Sequence, residues 1–215
     1  MAVDSQWQSG EGVKMIDGTL PPSRAELRRE HLLETARALF IEHGFHQTGM
    51  AQISAASEIK MGQIYRDFES KEDIIAAICE RNVAAWLEED VLARAVQAGD
   101  TGAVRDWLDR FLRSDEPVEE CRLMSEIIAE SGRSARIAQL NSTVDRKVRD
   151  SLTAALTAIS PHADCSDARD PLIDFILALG LGIMMRRTFD PDLKVEPLFR
   201  YVSAVIDERI QALSR

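Results

Sequence analysis

The chain has 215 residues, 45% of them hydrophobic, and a formal net charge of −10, which excludes disorder throughout and allows one large domain or a small one joined to a larger. No run of 18 apolar residues occurs, and the first twenty residues lack the basic start and apolar core of a secretory signal, so a cytoplasmic protein without membrane partners is expected. Three cysteines, Cys79, Cys121 and Cys165, share no metal-ligand or redox spacing and read as idle or buried thiols.

The acidity is unevenly placed. Between Ser23 and Lys71 seven basic residues balance seven acidic ones, so the whole excess lies elsewhere. An acidic body repels a polyanion at long range, yet a neutral segment can still present a locally basic face.

In chain order, residues 1–22 are polar and glycine-rich and are expected to form a flexible arm closed by Pro21-Pro22. Leu32, Leu33, Ala36, Leu39 and Phe40 then mark one face of a helix that stops at Gly44. Thr48 offers an N-cap hydroxyl to a two-turn helix through Met50, Ile53 and Ala56. After a break at residues 57–59, a second short helix carries Ile64, Tyr65 and Phe68. Ser70 caps a longer helix with Ile74, Ile75 and Ile78, and later Val83, Trp86 and Leu87.

The remaining elements are helical as well. Val104, Trp107, Leu108, Phe111 and Leu112 mark one, and Pro117 opens another that ends near Gly132. A stripe from Ile137 to Ile159 covers about six turns. Pro171 is expected to start the very apolar LIDFILALGLGIMM, which ends on Arg186 and Arg187, and a last helix starts near Pro197. The reading is all-α, with about nine helices. Residues 23–70 form a three-helix head containing a helix-turn-helix, and residues 71–215 form a larger helical body.

The head carries chemistry at fixed offsets. Gly62 lets a backbone approach another surface, Gln63 can read a base edge, and Tyr65 and Lys71 can reach phosphates. Leu39-Phe40, Gly44, Thr48, Met50, Ile53, Ala56, Gly62, Ile64-Tyr65, Phe68 and Ser70-Lys71-Glu72 fall in one ordered pattern. In that pattern, residues 28–73 resemble the N-terminal domain of the TetR family of bacterial repressors. The resemblance implies that Met61, Gly62 and Gln63 face base edges and that Tyr65 and Lys71 bind phosphates. It also implies that Thr48 caps its helix and helps to hold a phosphate.

Three positions depart from the family pattern. Glu58 replaces the usual turn glycine, Lys60 the usual capping serine, and Asp67 a residue more often His, Tyr or Asn. Lys60 and Arg66 are expected to compensate by reaching the DNA themselves.

For the body, the resemblance implies a ligand chamber among the middle helices and a homodimer built by the last two. Trp107, Phe111, Cys121, Met124, Ile128, Phe175 and Met184 are the expected chamber residues, for an unidentified small lipophilic effector that Glu120 and Glu126 could bias toward a cation. Leu177, Ala178, Gly180, Leu181, Leu198, Val202 and Val205 are the expected dimer contacts, since a helix apolar on nearly every side leaves a patch in water unless a partner covers it. Two heads about 34–36 Å apart would then read a palindromic operator in double-stranded DNA.

No catalytic residue, cofactor or metal is expected. Phosphate-loop, nucleophile-elbow and zinc-helix motifs are absent, and the HxxH of His43 and His46 straddles a helix end. A helical adaptor that binds protein and not DNA is the alternative.

Overall fold

The computed structural model describes residues 23–113, 116–160 and 166–213. The expected N-terminal arm and Cys165 lie outside them. Among the described residues there are ten helices and no strand. They are α1 (Arg24–His43), α2 (Met50–Ser57), α3 (Met61–Asp67), α4 (Lys71–Leu87), α5 (Glu89–Ala98), α6 (Thr101–Leu112), α7 (Val118–Glu130), α8 (Ala135–Ile159), α9 (Ser166–Phe189) and α10 (Val195–Leu213). None of these is long and apolar enough to cross a membrane.

Local chemistry sets most of the boundaries. Ser23 and Glu26 form a reciprocal capping box at the start of α1: the Glu26 amide donates to Ser23 Oγ and the Ser23 amide to the Glu26 carboxylate. At its end Gly44 turns the chain with φ 84° and ψ 154°, a region open in practice only to glycine. Ser70, Asp100 and Ser134 cap α4, α6 and α8 by accepting the amides of Asp73, Ala103 and Ile137.

Three boundaries correct the sequence reading. The N-cap of α2 is Gly49, one residue beyond Thr48, whose hydroxyl points back into α1. Helix α9 begins at Ser166, so Pro171 sits inside it; the ring lies just past the first turn, where only one intrahelical hydrogen bond is lost. The third is α5, which the sequence reading did not separate: α4 breaks at a left-handed Glu88 and α5 starts at Glu89, with Glu88, Glu89 and Asp90 all exposed.

Two apolar clusters organise the helices. The first joins α1, α2 and α3 to the first half of α4 through Leu33, Phe40, Ile53, Ile64 and Ile75, and takes in Leu123 and Ile127 of α7 and Ile137 and Leu140 of α8. The second starts at Val83, in the latter part of α4, and gathers Trp107, Leu152, Ile173, Ile176, Val202 and Ile206. Helix α4 therefore contributes to both cores. The Trp107 indole donates to Leu87 O at 2.6 Å, satisfying a carbonyl that the end of α4 leaves open.

Glu58 closes α2 in the left-handed region, at φ 57° and ψ 15°. A side chain there costs about 1 kcal/mol, part of which glycine returns through its greater freedom in the unfolded chain. Glu58→Gly is therefore expected to stabilise the fold by about 0.5–1 kcal/mol, raising Tm by a few degrees in a thermal melt; an unchanged or lower Tm would contradict the account.

Candidate nucleic-acid interface

Helix α3 is seated by a single inward side chain. Ile64 is fully buried between α1, α2 and α4 and is flanked by buried Ile59 and Phe68. That anchor leaves the opposite side to solvent. Lys60, Gly62, Tyr65 and Arg66 are exposed, Tyr65 by 52%, while Met61 and Gln63 are half-buried. No atom lies within 4 Å of where a Cβ on Gly62 would stand, so the backbone is open to a close-approaching surface. Six of the eight sequence-predicted DNA residues thus share α3 and its cap.

The charges around α3 are sorted. Lys60 and Arg66 have no ion-pair partner among the described residues, and Lys60 is the N-cap without a side-chain capping bond. Asp67, the carboxylate expected to repel phosphate, is held 3.7 Å from the Arg28 guanidinium of α1. The pair is half-exposed and adds little stability. Its effect is electrostatic, because it offsets the acid at the end of the helix and leaves the two cations to set the local sign. Beside it, Arg29 lies over the Phe68 ring at 5.0 Å. Arg28 was not singled out from sequence, since only the packing of α1 against α3 brings it to Asp67.

The other two predicted residues are turned elsewhere. Thr48 is 1% exposed and donates its hydroxyl to the carbonyls of Gly44 at 2.9 Å and Leu39 at 3.2 Å. It neither caps α2 nor faces outward. Lys71 Nζ donates to Phe45 O at 2.8 Å and to His46 O and Thr48 O at 3.3 Å, and lies 4.5 Å from the centre of the Phe45 ring. Both residues hold the turn before α2. His31 on α1 steadies the far end of α2, its Nε2 lying 3.2 Å from Ser57 O.

In the body, the expected chamber residues are spread over several surroundings. Trp107 is core, with Phe111 stacked on it at 5.5 Å and Trp86 against Phe111 at 4.7 Å. Met124 packs on the head-side cluster, Cys121 is buried in α7, Ile128 is exposed and Met184 is half-buried. Glu120 and Glu126, assigned to a cationic effector, instead meet Arg37 and the Phe45 amide. A groove of about 440 Å³ between α9 and α10 is lined by Pro171, Leu172, Phe175, Val205, Arg209 and Leu213, so Phe175 is its only expected chamber residue.

The expected dimer contacts divide in the same way. Ala178, Gly180 and Leu181 are exposed, and Leu177, Leu198 and Val205 are half-buried. Val202 is 4% exposed and belongs to the body core, because α10 turns that face onto α6 and α9. Besides Leu181, larger apolar side chains are uncovered: Phe175, Met185 and Phe189 on α9, the last 70% exposed, and Tyr201 on α10, 71% exposed. Among the described residues no group of three or more His, Cys, Asp and Glu could hold a metal ion, and His46 Nε2 lies 2.9 Å from Glu130.

A short exposed helix set on two others by one buried isoleucine, with unpaired cations at both its ends, defines a helix-turn-helix DNA-binding domain on an all-α body. Residues 32–78 match the model of the bacterial regulatory proteins of the tetR family, so this N-terminal segment is similar to that family. It is similar to the HTH-type transcriptional regulator AcrR of Shigella flexneri, with 32% identity over 105 residues, 48% of this chain and 49% of that protein. It is also similar to the HTH-type transcriptional repressor NemR of Escherichia coli (strain K12), with 36% identity over 78 residues, 36% of this chain and 38% of that protein. The match thus spans about half or less of these relatives, which are named as transcriptional regulators and not as enzymes. The fold as a whole is like that of SmeT in its complex with triclosan, with a TM-score of 0.65 and 23% identity over 86% of this chain and 91% of that one.

The two described thiols are chemically quiet. Burial, aided by nearby Glu80, pushes Cys79 up to about 12, and burial likewise raises Cys121. At pH 8 almost no thiolate forms at Cys79, so in the folded protein neither thiol is expected to react with iodoacetamide within minutes, whereas both should do so in denaturant. Peptide mass mapping reads the result, and rapid native labelling of either cysteine would contradict this placement.

Proposed function

We propose that this chain is a cytoplasmic transcriptional repressor that binds a palindromic operator as a homodimer and is released by a small lipophilic effector bound in its body. The observation that carries the DNA-binding part is the α3 surface, where Gly62, Gln63 and Tyr65 stand exposed or half-exposed between Lys60 and Arg66, neither of them spent on an internal ion pair. Met61, Gly62 and Gln63 are assigned to base edges, and Lys60, Tyr65 and Arg66 to phosphates.

The homodimer is supported by the uncovered face of α9. Phe175, Ala178, Leu181, Gly182, Met185 and Phe189 recur at helical spacing and are exposed in the single chain. Such a stripe on a monomer is costly in water and is relieved by a second copy. Gly180 and Gly182 have open space above them, room for a partner helix to approach. Pairing on this face would hold the heads at a fixed separation, and an effector that fits better when the separation is wrong lowers operator affinity by its differential affinity. The fold likeness to a complex with triclosan, a small lipophile, fits such a body.

Selection of bound genomic fragments from a pool, followed by titration of the recovered duplex, tests the reading. Palindromic duplexes are expected, bound by a species of twice the chain mass in light scattering. Lys60→Ala and Arg66→Ala should each weaken binding and lower the slope of log K against log salt by about one. A monomer at micromolar concentration, or slopes unchanged at both positions, would overturn the respective part.

A further inference from the structure

The turn between α1 and α2 is held from two sides by opposite charges. Phe45 is buried, its ring 5.4 Å from Phe40, and both of its backbone polar groups are taken by charged side chains. Its carbonyl accepts from Lys71 Nζ at 2.8 Å, from within the head. Its amide donates to Glu126 Oε2 at 2.8 Å, from α7 of the body. Gly44 leaves room for the Glu126 carboxylate: a Cβ there would stand 3.2 and 3.3 Å from its two oxygens, which would have to shift by a few tenths of an ångström. On either side of Glu126, α7 sends Glu120 to Arg37 and Glu130 to His46. Three carboxylates of one helix thus meet the end of α1 and the turn that follows.

We infer that Lys71 and Glu126 are positioning residues for DNA recognition, which clamp Phe45 so that the head, and with it α3, keeps one orientation on the body. In this assignment the Lys71 ammonium acts through the turn and does not touch phosphate. The inference rests on the DNA-binding reading above. Hydrogen bonds to charged groups are the stronger kind, and those to Phe45 flank a buried ring.

The test uses the full chain and the duplex recovered by the wild type. Glu126→Ala should weaken binding at least about tenfold with an unchanged salt slope, because no phosphate contact is lost. It should also speed amide exchange at Phe45 by a comparable factor, read by NMR. Glu126→Gln retains an acceptor oxygen, stays folded by the same criterion, and should recover most of both. Lys71→Ala should likewise weaken binding with the slope unchanged. A slope lower by about one in Lys71→Ala would make Lys71 a phosphate contact and overturn its part. Unchanged affinity or unchanged Phe45 exchange in Glu126→Ala would overturn the clamp while leaving DNA binding intact. If the wild type binds no duplex, the DNA-binding reading fails, and this inference with it.

Discussion

The chain reversal at Gly44 is the constraint on which the head depends. A turn that buries Phe45 and Thr48 must find partners for every backbone group it takes from water, since each one left unpaired costs about 1–3 kcal/mol. Lys71 supplies three donor contacts, the Thr48 hydroxyl two more, and Glu126 accepts the Phe45 amide. With those satisfied, α2 leaves the turn in one direction only. Helix α3 follows from it through Ile59 and Ile64, and the DNA-facing side chains inherit that direction.

Helix α4 extends the constraint into the body. Its first half lies in the core that contains α3 and its latter part in the core that contains α9 and α10. A packed interior does not deform smoothly, so a displacement of the body core reaches the head as movement of a rigid rod. Helix α7 runs a parallel course, packing on α9 and meeting α1 through its carboxylates. Head orientation is therefore set by α4, which is joined covalently to the head, and by α7, which is joined to it by carboxylate contacts and by the packing of Leu123 and Ile127.

The apolar face of α1, the short helices around Ile53 and Ile64, and the all-α class were legible because they follow from periodicity, which is local. What escaped was the direction of polar side chains. Thr48 and Lys71 both occupy positions where a phosphate contact is chemically reasonable, and both are drawn inward by carbonyls of the turn, which for Lys71 lies more than twenty residues away. Glu120 and Glu126 were assigned to an effector because the sequence could not show that α7 ends up against α1. Trp107 and Val202, expected at a chamber and a dimer contact, are buried in the body core of the single chain, because an apolar stripe on a helix says that something is covered, but not by what. Pro171 misled because proline favours the first helical position, and α9 starts about a turn earlier.

The acidity that first argued against a nucleic-acid partner has a structural use. Arg81 bridges Glu30 and Glu34 of α1, Arg37 joins Glu34 to Glu120, and Arg136 of α8 meets Asp73 of α4. Arg28 and Lys71 of the head are engaged as well, by Asp67 and by the turn carbonyls. Lys60 and Arg66 are left without an ion-pair partner among the described residues, about 9 Å apart along the helix axis, on a segment with no net charge. The body carries the net negative charge, which repels a duplex at long range and, on the proposed reading, makes the α3 surface the more favourable side of approach. On that reading the negative charge costs affinity at long range and in return disfavours binding by the acidic faces.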